Sequence, residues 1–192
     1  KSTLFNALTK SSIPAENFPF CTIEPNVGKV PLPDKRLKEL NDIVNTNKII
    51  PASLDLVDIA GLVKGASQGE GLGNAFLSNI REMNALAHVV RCFDDENITH
   101  VDGSIDPVRD AEIINLELIM SDVETVDKRI LKCEKLLKTN DKKNKLEYGL
   151  LLKIKEDLNQ GRLINLENFE ADEKIIIKGF QLLSAKPTFY IA

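Results

Sequence analysis

Residues 53–62, with the sequence SLDLVDIAGL, constrain the fold more than any other stretch of this chain. The largely apolar run at 54–57 is typical of a buried strand, and Asp58 stands where that strand is expected to end. Gly61 then opens a loop in which a backbone amide can approach a ligand, because glycine has no side chain in the way. In phosphate-handling α/β proteins, a carboxylate at such a strand end holds magnesium. The segment therefore predicts the phosphate-binding edge of an α/β sheet.

A glycine-rich segment follows this strand, with four glycines between Gly65 and Gly73. Segments of this kind become ordered when a ligand contacts them, and the γ-phosphate of a nucleotide is the usual ligand. The DxAG pattern becomes specific only when a phosphate-binding lysine and a switch threonine occur in the same chain.

The chain begins Lys1-Ser2-Thr3, which matches the end of the phosphate-binding motif GxxxxGK[ST]. In that interpretation Lys1 reaches the β- and γ-phosphates, Ser2 ligates magnesium and Thr3 adds to the nucleotide contacts. The helix that starts here would direct its N-terminal amides at phosphate. Leu4, Phe5 and Leu8 are spaced to pack this helix on a sheet. An ordinary amphipathic helix that begins with lysine remains the alternative.

Residues 16–26 carry Pro19 and Pro25, which exclude a helix interior and predict an extended loop leading to a strand at 27–32. Thr22 in this loop is the candidate switch threonine that senses magnesium and the γ-phosphate. A proline-bearing turn that happens to contain threonine is the alternative.

Helical and strand patterns alternate through the first half of the chain. Asp34 is expected to cap a helix to about residue 45, a second helix follows at 74–86, and a strand follows at 87–93. The alternation predicts a doubly wound α/β domain with a mostly parallel sheet.

The pattern changes at Pro107, where a long helix is predicted to run to about residue 139. Its apolar positions alternate steps of three and four, as in a coiled coil, and a second helix with a leucine-rich stripe follows a short polar turn. We predict an antiparallel helical hairpin at 107–160, inserted into a domain formed by residues 1–106 and 161–192. The predicted apolar seams comprise Leu116, Ile119, Val123, Val126, Ile130, Cys133 and Leu137, followed by Leu146, Leu150, Leu151, Ile154 and Leu158.

Residues 128–145 of the hairpin carry eight basic side chains against two acidic ones. A solvated helix face and a contact surface for RNA both fit this charge.

The last part of the chain predicts a helix at 170–179 and a core strand at 187–192. Ser184-Ala185-Lys186 superficially matches the guanine-contacting loop of small GTPases. That loop should follow a base-reading motif, and here it precedes the strand that would carry one, so we do not assign it to base recognition.

Composition excludes several classes of protein. The net charge of −4 argues against wholesale wrapping of nucleic acid, and the three dispersed cysteines form no CxxC pair. No apolar run approaches the roughly 20 residues that a membrane span requires. We expect a protein of the cytoplasm without membrane contact.

The motifs in this order resemble the YchF/Obg-like ATPase family, a branch of the translation-factor-related P-loop NTPases. The resemblance is carried by Lys1-Ser2-Thr3, by NFPFCTIEPN at 17–26 and by DIAGLVKGAS at 58–67, and it extends over the whole chain. It implies a P-loop NTPase G-domain, a coiled-coil insertion, Mg²⁺ as cofactor, ATP preferred over GTP, and association with the ribosome through its large subunit. It also implies three parts outside this sequence: the first half of the P-loop, a base-specificity motif and a TGS domain beyond residue 192. We therefore expect this 192-residue stretch by itself to bind nucleotide weakly or not at all.

Hydrolysis needs a group that orients the attacking water. Small GTPases place a glutamine after the DxxG glycine, but this chain has Leu62 there, and the family is similarly known for a hydrophobic residue. Gly61 and Lys1 are then expected to act on the γ-phosphate. His100, in a polar loop after a strand end, is the candidate for water positioning, with a solvent-exposed loop histidine as the alternative. His88 lies in a predicted core strand, where a structural role is expected.

Two other functions remain open from the sequence. One is a GTP-specific Obg-type GTPase, and the other is a nucleotide-gated binding module with negligible turnover, which Leu62 makes plausible. A third possibility is a fragment without activity.

Overall fold

The structure is a computed structural model that describes residues 1–10, 25–59, 72–95, 104–137 and 141–192, with only the backbone described for 72–75. The chain divides into two compact units, Lys1–Gly61 and Leu62–Ala192. This division does not test the predicted boundaries of the helical insertion at 107 and 160, which stay a prediction.

The described residues of the first unit form two helices and a two-stranded sheet. Its described elements are α1 (Ser2–Thr9), β1 (Asn26–Pro31), α2 (Lys35–Val44) and β2 (Ser53–Asp58). Asp34 caps α2 as expected, because its carboxylate accepts the Arg36 amide at 3.0 Å.

The sheet of the first unit is antiparallel, which differs from the predicted parallel order. The register pairs Asn26 with Asp58 at one end of the ladder and Pro31 with Ser53 at the other. The residues that flank the connection therefore face each other, so the connection that carries α2 is a long hairpin and not a crossover. Sequence periodicity cannot distinguish these two connections, because both place a helix between two strands.

Helix α1 packs closely on β1 and β2. Phe5 is buried, and a methyl group built on Gly28 of β1 would overlap the side chain of Thr9, so glycine is needed at this contact. The predicted packing of Leu8 is wrong, since that side chain is 47% exposed. The apolar side chains of α2 are likewise exposed within this unit, including Leu40, Ile43 and Val44.

The second unit is mostly helical. Its described elements are α3 (Leu72–Glu82), β3 (Leu86–Val89), α4 (Pro107–Leu136), α5 (Lys142–Asn159), a 3₁₀ turn at Leu166–Asn168, α6 (Ala171–Lys178) and β4 (Thr188–Ile191). Strands β3 and β4 pair in parallel, from Leu86 with Thr188 to Val89 with Ile191. The parallel expectation therefore holds for this pair. The last strand is less buried than predicted, because Phe189 and Tyr190 are both at least half exposed.

Helices α4 and α5 form a hairpin with a shared apolar core. Asp127 of α4 pairs with Lys155 at 2.6 Å, and Glu134, two turns further along, accepts a hydrogen bond from Tyr148 at 3.3 Å. The partner number falls as the α4 number rises, so the two helices are antiparallel. The buried side chains that these helices contribute to the core are Ile119, Val126, Ile130 and Cys133 of α4, and Leu150, Leu151, Ile154 and Leu158 of α5. The predicted seam positions Leu116 and Leu146 are wrong, being 52% and 44% exposed.

A buried carboxylate fixes the turn that leads into β4. Asp122 of α4 is fully buried and accepts the Leu183 amide at 2.9 Å, the Ser184 amide at 2.7 Å and the Ser184 hydroxyl at 2.7 Å. The Arg81 guanidinium of α3 lies 3.8 Å away. We call these four residues the Asp122 junction. Ser184 therefore has an internal role in the turn.

Arg81 and Lys186 connect the end of α3 to this junction. Arg81 donates to the hydroxyls of Ser121 at 2.9 Å and Thr125 at 3.1 Å, both on α4. Lys186 donates to the carbonyls of Arg81 and Met83, which terminate α3. Burial lowers the pKa of the Lys186 ammonium, and the nearby Arg81 charge lowers it further. The end of α3, the middle of α4 and the entrance to β4 are thus held by one polar network.

Among the described helices, none combines the length and the apolar character needed to cross a membrane.

Candidate functional site

Lys1 and Ser2 stand at the N-terminus of α1. Lys1 is the N-cap residue, and its side chain makes no capping hydrogen bond to the helix. The first turn carries no acidic residue, so its amides face no competing carboxylate from their own helix. The end of the helix can therefore receive an anion.

Asp58 brings β2 to the same place. Its Oδ2 accepts the Ser2 hydroxyl at 2.7 Å, and its Oδ1 lies 3.3 Å from Lys1 Nζ. Lys1 also donates to the carbonyl of Ile59, the residue after the strand end. Asp58 is only 6% exposed, whereas the Lys1 side chain is 39% exposed. The structure thus brings together three of the predicted site residues, with the carboxylate held inside and the ammonium accessible.

The Asp58 carboxylate has one unsatisfied oxygen. Oδ1 is buried and, although it forms an ion pair with Lys1, it accepts no hydrogen bond of acceptable geometry within the described part of the chain. A carboxylate oxygen and a serine hydroxyl in contact are the hard oxygen donors that Mg²⁺ prefers, usually with several retained waters. The residues present therefore fit a magnesium ion. In the described ranges, no group of three or more His, Cys, Asp or Glu side chains is placed to hold a metal.

The other predicted site residues divide into two groups. Thr3 is described, and its side chain is exposed on the first turn of α1. Thr22, Gly61, Leu62 and His100 lie outside the described residues.

His88 has internal contacts, as expected. It is half-buried on β3, and its ring lies 5.3 Å from that of Tyr190 on the paired strand. Burial lowers the pKa of the imidazole, and the charge of Asp110 opposes this shift. Tyr190 in turn accepts a hydrogen bond from Asn115 of α4 at 3.2 Å.

Sequence reasoning missed Asn26. This residue is the register partner of Asp58 across β1 and β2, and its side-chain amide nitrogen is buried. The sequence offers one signal for Asn26, which is its position at the start of the strand that follows Thr22. That position indicates a role near Asp58 only when the antiparallel register of β1 and β2 is known.

A lysine and a hydroxyl residue at a helix N-terminus, in contact with a carboxylate at a neighbouring strand end, form the arrangement that is typical of the phosphate sites of P-loop nucleoside triphosphatases. The chain belongs to the 50S ribosome-binding GTPase family, whose sequence model matches residues 1–146. The resemblance to the YchF branch is confirmed by the relatives below.

The chain is 50% identical over 192 residues to a Bacillus subtilis (strain 168) protein named ribosome-binding ATPase YchF, covering 100% of this chain and 52% of that protein. It is 51% identical to the protein of the same name from Escherichia coli O157:H7, covering 100% of this chain and 53% of the relative. The solved structure of the Schizosaccharomyces pombe YchF GTPase superposes with a TM-score of 0.75 at 40% identity, over 98% of this chain and 52% of that one. The chain spans about half the length of the curated relatives it matches.

Proposed function

We propose that the natural gene product containing this chain, below called the full-length protein, is a ribosome-associated nucleotide switch that hydrolyses ATP in preference to GTP. The observation that supports this most directly is the contact of Lys1 and Ser2 with Asp58 at the end of β2. Family membership supports the class, and the relatives named as ribosome-binding ATPases support the nucleotide and the partner.

The reaction is hydrolysis of the β–γ phosphoanhydride bond. Water attacks the γ-phosphorus, the bond from that phosphorus to the bridging oxygen breaks, and the products are a nucleoside diphosphate and inorganic phosphate. Lys1 offers an accessible ammonium to the β- and γ-phosphate oxygens, where negative charge develops. The uncapped amides at the start of α1 hold the same phosphates in position.

Ser2 and Asp58 are the described residues that would hold Mg²⁺, with Thr22 proposed as a third contributor from the sequence. When bound, the ion neutralises phosphate charge. Asp58 orients the Ser2 hydroxyl through the 2.7 Å hydrogen bond, which directs the oxygen lone pairs of Ser2 away from the carboxylate and toward a cation.

Water positioning is assigned to His100, with the Gly61 amide on the γ-phosphate. Both assignments are proposals from the sequence. Leu62 has no donor or acceptor, so another group must orient the water, and imidazole can accept its proton near neutral pH.

Replacing His100 with alanine should lower the turnover number for ATP by about 10²-fold, the usual effect of losing a general base. The dissociation constant for a non-hydrolysable ATP analogue should stay unchanged, because the proposed role is confined to the attacking water. Single-turnover hydrolysis and calorimetry measure the two quantities. His88→Ala is the matched histidine control, and equal turnover in wild type and His100→Ala would reject the assignment.

Calorimetric titration of ATP and GTP with Mg²⁺ into the full-length protein, followed by turnover assays, tests the proposed function. We expect at least tenfold tighter binding of ATP and measurable release of phosphate. A preference for GTP would instead indicate an ordinary Obg-type GTPase. Tight ATP binding without turnover, even with ribosomes present, would indicate a nucleotide-gated binding module, which the apolar Leu62 favours over a fast enzyme.

The hairpin of α4 and α5 is proposed as the insertion at 107–160 and as a contact surface for ribosomal RNA of the large subunit, in the cytoplasm. Two of its basic residues are already engaged: Lys128 pairs with Glu124 at 3.4 Å, and Arg129 lies 5.0 Å over the Phe180 ring. Others are exposed and form no ion pair with a described carboxylate: Lys132, Lys135, Lys142, Lys143 and Lys145. These lysines are available to bind phosphate groups.

Changing Lys142, Lys143 and Lys145 together to glutamate should weaken binding of the full-length protein to 50S ribosomal RNA. The slope of log affinity against log salt should fall by about one for each phosphate group that these lysines neutralise in the wild-type complex. Changing the exposed Lys35, Lys38 and Lys48 of the first unit to glutamate gives a control with the same charge change. Equal weakening by both triple variants would mean that net charge, and not the hairpin, determines binding.

A further inference from the structure

Asn26 and Asp58 occupy one face of the β1–β2 sheet. They are register partners at the end of the antiparallel ladder, and side chains directly opposite each other in such a pair lie on the same side. Asp58 on that side contacts Ser2 and Lys1. The backbone register therefore places the Asn26 amide next to the proposed phosphate and magnesium site.

Both side chains of this pair carry a buried atom without a hydrogen bond. Asn26 Nδ2 is a donor without an acceptor, and Asp58 Oδ1 is an acceptor without a hydrogen-bond donor, within the described part of the chain. Only one other such side-chain atom occurs there, Oδ1 of Asp127, and it has an ion-pair partner in Lys155. A buried polar group without a hydrogen-bond partner is destabilising, because it has lost its contacts with water and gained none inside the protein. Two of these in one register pair, one donor and one acceptor, therefore point to a shared partner.

A water molecule matches both groups. A water molecule can donate two hydrogen bonds and accept two, so a single water can accept from Asn26 Nδ2 and donate to Asp58 Oδ1. A phosphate oxygen would satisfy Asn26 but repel the carboxylate, and a cation would do the reverse.

We propose that Asn26 is a positioning residue for Asp58, acting through one ordered water that links its amide to Asp58 Oδ1. This inference rests on the proposed function, because the value of fixing the carboxylate is that Ser2 and Asp58 then present their oxygens to Mg²⁺ in one arrangement. Residues that hydrogen-bond to a metal-coordinating side chain and fix its orientation commonly contribute 10- to 100-fold to metal affinity or activity.

The test compares two replacements of Asn26 in the full-length protein. Asn26→Leu keeps the approximate shape of the side chain and removes the donor, whereas Asn26→Ser keeps a donor. Mn²⁺ replaces Mg²⁺ as the probe, and its dissociation constant is measured by electron paramagnetic resonance in the presence of a non-hydrolysable ATP analogue. Thermal unfolding without metal and nucleotide is measured on the same samples.

We expect Asn26→Leu to weaken Mn²⁺ binding by about tenfold or more, and Asn26→Ser to stay within about threefold of wild type. The melting temperature of the metal-free protein should not fall in Asn26→Leu, because that variant also removes an unsatisfied buried donor. Unchanged Mn²⁺ affinity in Asn26→Leu would overturn the inference, and so would equal losses of affinity in both variants. Failure of the wild-type protein to bind Mn²⁺ with the analogue would overturn the proposed function and this inference together.

Discussion

Replacing Lys1 with methionine in the full-length protein is expected to lower ATP hydrolysis by at least about 10²- to 10³-fold, the typical effect of removing one preorganised group from a developing charge. Lys1 is the cation nearest to Asp58 in the described site, with Nζ at 3.3 Å from the carboxylate and a side chain still 39% exposed. Methionine keeps most of the length of the side chain and removes the charge. Affinity should fall more for the triphosphate than for the diphosphate, since the ammonium reaches the terminal phosphates.

The structure offers a matched control for this variant. Lys29 of β1 also pairs with an aspartate, Asp55 of β2, at 3.6 Å, but both partners are highly exposed. Exposed pairs of this kind contribute about 0–1 kcal/mol, so Lys29→Met should leave hydrolysis and binding unchanged. Phosphate-release assays and calorimetry measure both variants. Turnover of Lys1→Met within threefold of wild type would mean that this helix terminus does not receive the nucleotide.

The part of the site that the sequence predicts is the part determined by local motifs. Lys1 and Ser2 belong to one motif and Asp58 to another, and each motif fixes its own position at a helix start or a strand end. Their convergence follows from placing both motifs at the same edge of a sheet. Asn26 could not be found in this way, because its relation to Asp58 depends on a strand register that the sequence does not encode locally.

In the fold as well, features set by neighbouring residues are predicted from the sequence, whereas features set by distant pairing are not. Asp34 is predicted from the sequence to cap a helix, and it accepts a backbone amide in the structure. Asp106 and Asp141 cap α4 and α5 in the same way, although the sequence patterns predict only that helices begin near them. The predicted strand direction is wrong in the first unit, because a connection that contains a helix permits both directions.

Burial in the hairpin is predicted only in part. The steps of three and four residues identify the α4 face that meets α5, but they include Leu116, which is exposed, and omit Asp122, which is buried. A hydrophobic period cannot report that a carboxylate will find two amides and a hydroxyl from a turn about 60 residues away. Such an interaction becomes visible only when the turn before β4 is placed against α4.

Replacing Asp122 with alanine is expected to lower the free energy of local unfolding by about 3–5 kcal/mol. The amides of Leu183 and Ser184 would each lose their acceptor inside the protein, at about 1–3 kcal/mol apiece, and Arg81 would lose its charged neighbour. Hydrogen exchange at Leu183 and Ser184 measures the effect directly, and protection should fall by about 10²- to 10⁴-fold. Asp127→Ala is the control on the same helix, because its ion pair with Lys155 is partly exposed and should contribute about 0–1 kcal/mol.

The Asp122 junction also predicts a dependence on pH. Burial raises the pKa of the Asp122 carboxyl, and its hydrogen bonds and the Arg81 charge oppose that shift only in part. The folded state therefore binds more protons than the unfolded chain between the ordinary pKa of aspartate and the raised one. Across that window the contribution of Asp122 to the free energy of unfolding falls as the pH rises, and above it the cost of burying the charge is fully present.

Asp122→Asn separates this charge effect from the loss of hydrogen bonds. Asparagine keeps one acceptor oxygen but turns a donor toward an amide, so local protection should still fall. Its pH dependence across the acidic window should be flatter than that of the wild type, because the titrating group is gone. Exchange at Leu183 and Ser184 as a function of pH, corrected for intrinsic exchange, gives both quantities. A slope equal to that of the wild type would assign the acid sensitivity of this turn to a group other than Asp122.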